Sequence, residues 1–204
     1  LDGDGDRLLM ADKNGRVYDG DKLIYVIAKA RAQEGLPLGG VVGTVMTNMA
    51  MELALQEKNI PFARAKVGDR YVLEQLHERG WLVGGEASGH VLCMDKHNTG
   101  DGIISALQVF AALQILGQDL ETAVDWKAFP QTMINVRIEK GRDGQGASAA
   151  VLAEVEQSLA GEGRVVLRAS GTEPVVRVMV EARRADAAKQ GAEKIADAIR
   201  QAAG

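Results

Sequence analysis

Cysteine is almost missing from this 204-residue chain: Cys93 is the only one, so no disulfide can form within the chain. This excludes a disulfide-stabilised scaffold and favours a reducing compartment, for which we expect the cytoplasm. No run reaches the roughly 18 consecutive apolar residues of a membrane helix, and the first residues are acidic rather than the basic start of a signal peptide. We therefore expect no membrane partner.

A strong excess of charge of one sign is missing too. The 24 basic and 28 acidic residues give a formal net charge of −4, which argues against a nucleic-acid partner. An initiator methionine is also absent, because the chain starts at Leu1, directly before an acidic run. We expect a piece of a longer protein, with N-terminal processing of a short one as the alternative.

Glycine, in contrast, is abundant, at 24 of 204 residues, about 12% against a usual ~7%. Apolar runs typical of buried strands occur at 39–45, 61–67, 81–84 and 91–94, and helical patterns alternate with them. Helices are predicted to start after Asp19, at Thr47 or Asn48, at Asp69 and at Asp101. The helix that starts at Asp101 is expected to bury six apolar residues: Ile103, Ile104, Leu107, Phe110, Ala111 and Ile115. This alternation predicts a three-layer α/β/α domain with a mixed, mostly parallel sheet.

The pattern changes near residue 128. Alternating residues from Gln131 predict a half-buried strand, followed by a helix at 147–159, strands at 164–168 and 175–181, and a closing helix at 185–203. This β-α-β-β-α order predicts a smaller α+β domain.

Three carboxylates alternate with glycines in Asp2-Gly3-Asp4-Gly5-Asp6-Arg7. Glycine lets the backbone curl, so the three side chains can converge on one hard cation and leave coordination positions open, which suits Mg²⁺. An EF-hand calcium loop is rejected because Arg7 and Lys13 stand where it needs glycine and glutamate. A solvated acidic turn remains the alternative.

A carboxylate, a hydroxyl and an imidazole share the loop Gly85-Glu86-Ala87-Ser88-Gly89-His90. Such a loop can bind the hydroxyls of a polar ligand and supply acid or base groups. A serine nucleophile elbow is excluded, since Glu86 and His90 flank Ser88 where glycines are required. An ordinary hairpin loop is the alternative.

Two further segments suit anions. Arg168-Ala169-Ser170-Gly171-Thr172-Glu173-Pro174 lies between two strands and offers N–H and hydroxyl donors beside a guanidinium, which is typical of a phosphate-binding loop. Lys66-Val67-Gly68-Asp69-Arg70 places cations beside a helix N-terminus. A tight turn with capping hydroxyls and ordinary surface charges are the respective alternatives.

Together these motifs resemble the α-D-phosphohexomutase superfamily, over essentially the whole chain. The segments KVGDRYV at 66–72 and SGTEP at 170–174 resemble its branch acting on glucosamine phosphates more than the mannose and glucose branches. The resemblance implies that residues 1–16 end domain 2 with a metal loop, that 17–127 form the sugar-binding domain 3, and that 128–204 form the phosphate-binding domain 4. The partners it implies are a hexosamine phosphate and the N-terminal domains of the same enzyme.

The resemblance also implies roles for individual residues. Asp2, Asp4 and Asp6 match Mg²⁺ ligands, and Arg7, Lys66 and His90 match catalytic positions. Glu86 and Ser88 match contacts to sugar hydroxyls, while Arg168, Ser170, Gly171, Thr172 and Arg177 match a phosphate clamp. The family's phosphoserine lies in a domain that this chain does not contain, so we expect the 204 residues alone to be inactive as a mutase. A free-standing phosphosugar-binding module is the competing interpretation.

Overall fold

The computed structural model describes residues 1–138, 149–169 and 174–203. These residues form two compact units, Leu1–Lys127 (unit 1) and Ala128–Gly204 (unit 2). None of the described helices combines the length and the apolar character needed to cross a membrane.

Unit 1 is a mixed sheet between two helical layers. Its elements are β1 (Met10–Ala11), β2 (Val17–Tyr18), α1 (Gly20–Gln33), β3 (Val41–Thr44), α2 (Met49–Glu57), β4 (Phe62–Ala65), α3 (Asp69–Arg79), β5 (Val83–Gly85), β6 (Val91–Cys93), α4 (Gly102–Leu116) and α5 (Leu120–Ala123). The sheet order is β4-β3-β5-β6, with β6 alone antiparallel to its neighbour. Helices α1, α2 and α4 pack on one face and α3 on the other, so the predicted α/β class with a mixed sheet is confirmed.

Helix α1 is the centre of the larger core. Asp19 caps it by accepting hydrogen bonds from the Lys22 backbone N–H at 3.2 Å and from Lys22 Nζ at 2.8 Å. Leu23, Ile24, Ile27 and Ala28, whose spacing predicts the apolar face of an amphipathic helix, are buried, and Tyr25 and Val26 are buried as well. The helix is covered on more than one side because α2 and α4 both pack against it.

Helix α3 starts at Asp69, as predicted, but Asp69 does not cap it. Gly68 precedes Asp69 with φ 123° and no side-chain capping bond. Asp69 Oδ1 instead accepts the neighbouring Arg70 N–H at 2.8 Å.

The predicted inner face of α4 is largely wrong. Ile103, Leu107 and Phe110 are 64%, 59% and 57% exposed, and Ala111 is exposed as well. The buried face consists of the small or short residues Gly102, Ser105, Val109 and Ala112. Because α4 is apolar all round, periodicity could not select a face, and close packing against α1 and β6 favours the smaller side chains.

Unit 2 is an antiparallel sheet with helices on one face. It contains β7 (Gln131–Arg137), α6 (Ala149–Leu159), β8 (Gly163–Ala169), β9 (Val175–Ala182) and α7 (Ala185–Ala203), in the predicted β-α-β-β-α order. The sheet order is β7-β9-β8. Alternate residues of β9 (Val176, Val178 and Val180) pack with both helices, so Arg177, Met179 and Glu181 belong to the opposite face.

Candidate functional site

The loops of unit 1 converge where the parallel strands end. β3, β4 and β5 run in the same direction, so the segments that follow them meet at one edge of the sheet. In open α/β sheets this carboxyl edge is the usual place for a ligand. Lys66 follows β4 and Glu86 follows β5, and the metal loop at 2–7 pairs with the segment after Glu86 through an isolated bridge between Arg7 and His90.

The three aspartates of the metal loop do come together. One carboxylate oxygen from each of Asp2, Asp4 and Asp6 lies within 4.8 Å of the others, the only such group of three acidic, histidine or cysteine ligands among the described residues. Asp2 Oδ1 accepts the Arg7 N–H at 3.2 Å. The slight desolvation of Asp2 is outweighed by this and other backbone N–H groups and by the Arg7 charge, so the pKa of Asp2 lies below its ordinary value.

A hard cation fits this cluster. Asp6 Oδ1 is buried and accepts no hydrogen bond from the part of the chain that the structure describes, so one ligand oxygen is already desolvated and unpaired. Carboxylate oxygens on short, glycine-spaced arms are ligands that Mg²⁺ accepts.

His90 joins the metal loop to the loop after β5. Its side chain is buried, its Nε2 lies 3.6 Å from Asp6 Oδ2 and 4.0 Å from Asp69 Oδ2, and Gly100 packs against the ring so closely that a Cβ there would come within 2.1 Å of Nε2. Nδ1 is buried without a hydrogen-bond partner among the described residues. His90 thereby places a buried imidazole beside Asp6 and Asp69.

The loop 85–90 has a fixed backbone shape. Gly85 and Gly89 have φ values of 149° and 101°, and a Cβ at either would meet the backbone oxygens of His90 and Leu8 at 2.1 and 2.4 Å. Gly20, at the start of α1, donates its N–H to Ala87 O at 3.1 Å, and a Cβ there would lie 2.0 Å from Glu86 O. We call Gly20, Gly85 and Gly89 the glycine frame, because a side chain at any of the three would collide with the backbone in or next to the loop 85–90.

Glu86 connects this loop to the loop after β4. Its Oε1 accepts the Gly68 N–H at 2.9 Å, while Ser88 is exposed at the tip. Lys66 Nζ and Arg70 Cζ lie 5.6 and 4.9 Å from the centre of the Tyr71 ring, so two cations lie near one aromatic ring beside Glu86. The Glu86 N–H also donates to His90 O at 3.0 Å. Direct contacts therefore link five of the eight candidate residues of unit 1, namely Asp2, Asp6, Arg7, Glu86 and His90.

Sequence reasoning missed a buried carboxyl next to this site. Asp21 is 3% exposed, and its Oδ2 accepts the Asn48 N–H at 2.9 Å, at the turn after β3. Burial raises the pKa of Asp21 to about 7, and the charge of Asp19 adds to this, against the Asn48 N–H, the Thr47 hydroxyl and the more distant Arg64. Asp21 is visible in the sequence only as an acid in a first helical turn, because its partner lies 27 residues away.

Unit 2 carries the remaining candidates. Arg168 and Arg177 are directly opposite each other on β8 and β9, and Asn135 of β7 is the next residue in the same row. Arg177 Nε is buried and has no hydrogen-bond partner in the described parts of the chain. Two guanidinium groups in neighbouring positions repel each other unless an anion lies between them. Ser170, Gly171 and Thr172 lie outside the described residues.

Comparisons with known sequences identify the class of protein. Residues 19–129 match the family described as phosphoglucomutase/phosphomannomutase, alpha/beta/alpha domain III, and residues 133–198 match the C-terminal domain of the same family. The chain belongs to the phosphoglucomutase/phosphomannomutase family, as the motifs predicted.

Individual relatives are closely similar over nearly the whole chain. Phosphoglucosamine mutase of Neisseria subflava is 77% identical over 200 residues, and that of Chromobacterium violaceum is 70% identical over 200 residues. Each match covers 98% of this chain and 45% of the relative. The chain therefore spans a little under half the length of these relatives.

Solved structures share the fold. N-acetylphosphoglucosamine mutase of Aspergillus fumigatus, in complex with GlcNAc-6P and magnesium, matches with a TM-score of 0.76 at 22% identity, covering 98% of this chain and 51% of that one. A phosphoglucomutase/phosphomannomutase family protein of Burkholderia thailandensis matches with a TM-score of 0.73 at 19% identity, covering 98% and 45%. These likenesses support the two-part architecture.

Proposed function

We propose that this chain is the sugar- and phosphate-binding half of a phosphoglucosamine mutase, an isomerase that interconverts glucosamine 6-phosphate and glucosamine 1-phosphate. The observation that carries the proposal is the convergence of the three aspartates, His90 and Glu86 at one edge of the unit 1 sheet. The names of the relatives support the amino-sugar substrate. A phosphorylated sugar of central metabolism and a single cysteine favour the cytoplasm.

Asp2, Asp4 and Asp6 would hold Mg²⁺ in this proposal, and the bound ion supplies positive charge that offsets the charge of a transferring phosphoryl group. Arg7, anchored through its N–H to Asp2, adds a guanidinium at the same place. The chain itself provides no phosphoserine of the family type, so the phosphoryl donor has to come from the additional length that the relatives possess.

The sugar hydroxyls would be bound by Glu86 and Ser88, whose loop is held by the glycine frame. A base must accept the proton of the attacking hydroxyl. We assign this role to Lys66, because it is exposed at the carboxyl edge while His90 is buried between Asp6 and Gly100. His90 would position Asp6.

The phosphate that does not react would be bound by unit 2. Arg168 and Arg177 provide the guanidinium groups, and Ser170, Gly171 and Thr172 would add hydroxyl and N–H donors. The net charge of −4 opposes an anionic substrate, so attraction must be local, and Arg168, Lys66 and Arg70 are the cations that the proposal uses.

A chimera tests the proposal. The part of the Neisseria subflava relative that precedes the matched region is joined ahead of Leu1, and turnover of glucosamine, mannose and glucose phosphates is measured with Mg²⁺. We expect turnover of the glucosamine phosphates by the chimera and none by the 204-residue chain. Preference for mannose or glucose phosphate would contradict the substrate assignment, and an inactive but folded chimera would favour a non-catalytic sugar-phosphate-binding module.

The metal assignment has its own control. Asp4→Asn in the chimera should abolish measurable turnover and lower the affinity for Mg²⁺ at least tenfold, whereas Asp197→Asn, an exposed aspartate of α7 paired with Arg200, should change neither. Titration calorimetry with Mg²⁺ alone measures the affinity without relying on activity.

A further inference from the structure

Helix α4 exposes an unusual amount of apolar surface. Ser105, Gln108 and Gln114 are its only polar residues, and it carries no charge. Ile103, Leu107 and Phe110 follow the i, i+4, i+7 spacing of one helix face, and all three are more than half exposed. We call this face the α4 stripe. A helix that is apolar all round is normally buried all round, so the stripe lacks a covering surface in the described structure.

The stripe begins where the metal loop meets α4. Gly102 donates its N–H to Gly5 O at 2.8 Å, and a Cβ on Gly102 would come within 2.3 Å of Leu1 Cδ2. Leu1 is itself 66% exposed and therefore extends the apolar surface at the head of the stripe. A polypeptide joined to Leu1 enters next to Ile103.

We propose that the α4 stripe is the docking surface for the N-terminal half that the family members carry ahead of this region. The domains matched here are the third and the C-terminal ones of the family, and the relatives are more than twice as long as the matched segment, so their additional residues include domains that precede domain III. The inference rests on the proposed function only in taking that half as the occupant.

A second copy of this chain fits the stripe less well. Stable dimers bury about 800 Å² on each partner, which is much more than three side chains in one row offer. Contacts between domains of one chain need less area, since the covalent connection keeps the partner at a high local concentration. Docking on α4 would also fix the metal loop, because Gly102 holds Gly5 directly.

Thiol labelling can test the docking in the chimera described above. Cys93 should contribute little to the labelling, because it is 4% exposed and burial raises the pKa of its thiol to about 11. Leu107→Cys and Phe110→Cys are introduced separately, and the rate of reaction with a water-soluble maleimide is measured in the 204-residue chain and in the chimera. Lys189→Cys, on the exposed face of α7, is the control.

We expect both stripe thiols to react at least tenfold more slowly in the chimera, with Lys189→Cys unchanged. In an Ile103→Cys chimera, adding Phe110→Asp should restore fast labelling. Equal rates in the two chains would overturn the proposal, and so would protection of the 204-residue chain that grows with its concentration, since that would indicate a second copy. Labelling needs no turnover, so a protected but inactive chimera would contradict only the proposed function.

Discussion

The carboxylates at the candidate site of unit 1 and the buried carboxylate of unit 2 are held by different means. At and beside the site in unit 1, three acidic side chains accept backbone N–H groups: Asp2 from Arg7, Glu86 from Gly68 and Asp21 from Asn48. In unit 2 the fully buried Glu181 is held by side chains, with Arg164 Nε at 3.0 Å and the Gln131 amide on its other oxygen.

The difference follows from the two sheet types. Unit 1 has helices and loops after parallel strands, and their starts present unpaired N–H groups. The antiparallel ladder of unit 2 uses its backbone groups between strands, so side chains in rows across the strands must supply the partners. Backbone conformation thus holds the three carboxylates at and beside the site of unit 1, whereas neighbouring side chains hold Glu181 in unit 2.

The largest expected effect breaks the side-chain arrangement of unit 2. Arg164→Met leaves Glu181 buried without its cation and should reduce the free energy of unfolding by about 3–5 kcal/mol. Both tryptophans, Trp81 and Trp126, lie in unit 1, so urea unfolding should shift in circular dichroism and keep its midpoint in tryptophan fluorescence.

The matched control for this variant is Lys194→Met, which removes an exposed ion pair with Glu154 in the same unit. That change should cost less than about 1 kcal/mol. Equal losses for the two variants would mean that burial of Glu181 does not decide the energy.

Asp21→Asn should raise the free energy of unfolding, whereas Arg164→Met should lower it. The folded-state pKa of about 7 lies above the unfolded value of 3.8, so the folded state keeps a proton that the unfolded state has released, and stability falls as pH rises from about 4 through 7. At pH 8 the variant should be more stable than the parent by about 4 kcal/mol, and near pH 5 this advantage should shrink to about 2 kcal/mol, since each pKa unit corresponds to about 1.4 kcal/mol. Tryptophan fluorescence during urea unfolding measures both.

A suitable control is Asp69→Asn, whose side chain is exposed. Its pH profile should follow that of the parent chain. If the Asp21→Asn profile also ran parallel to the parent profile, the pKa of Asp21 would be the same in the folded and unfolded states, and burial would not raise it.

Arg168→Ala probes the row of side chains for which a phosphate-binding role is proposed. Removing one guanidinium should weaken binding of glucosamine 6-phosphate by at least ~1.5 kcal/mol, roughly tenfold in Kd, as expected for a charged hydrogen bond. Calorimetry on the chimera provides the measurement, with Lys189→Ala as an exposed cation that should leave affinity unchanged. An unaltered Kd for Arg168→Ala would remove it from the phosphate clamp.

The smallest effect concerns a backbone-directed contact in unit 1. Asn48→Ala removes the side-chain cap on the Ala50 N–H, a 3.1 Å bond, but keeps the N–H that Asp21 accepts. The loss should be about 1 kcal/mol in the fluorescence-detected transition. Asn48→Ser, which can still cap, should recover most of it, and a loss near that of Arg164→Met would show that the side chain does more than cap.

Local patterns predicted most of this architecture, because alternation and capping act over a few residues. The order of elements in both units and the convergence of the three aspartates follow from such patterns. The burial of Asp21 is not predictable from local patterns, because it depends on Asn48, 27 residues away. The predicted buried face of α4 is wrong because a helix that is apolar all round shows no preferred face in its sequence. The roles of all the candidate site residues, including the metal ligands and the phosphate clamp, stay predictions.

The glycine frame has a consequence for redesigning the loop to which sugar binding is assigned under the proposed function. Gly20, Gly85 and Gly89 fix the path of the loop through close contacts that exclude even a methyl group, and Glu86 and Ala87 take part in these contacts only through their backbone atoms. Shape and chemistry are therefore encoded at separate positions. A library that randomises 86–88 and keeps the three glycines should yield mostly folded variants, so this short segment can be explored for new ligands without rebuilding the scaffold beneath it.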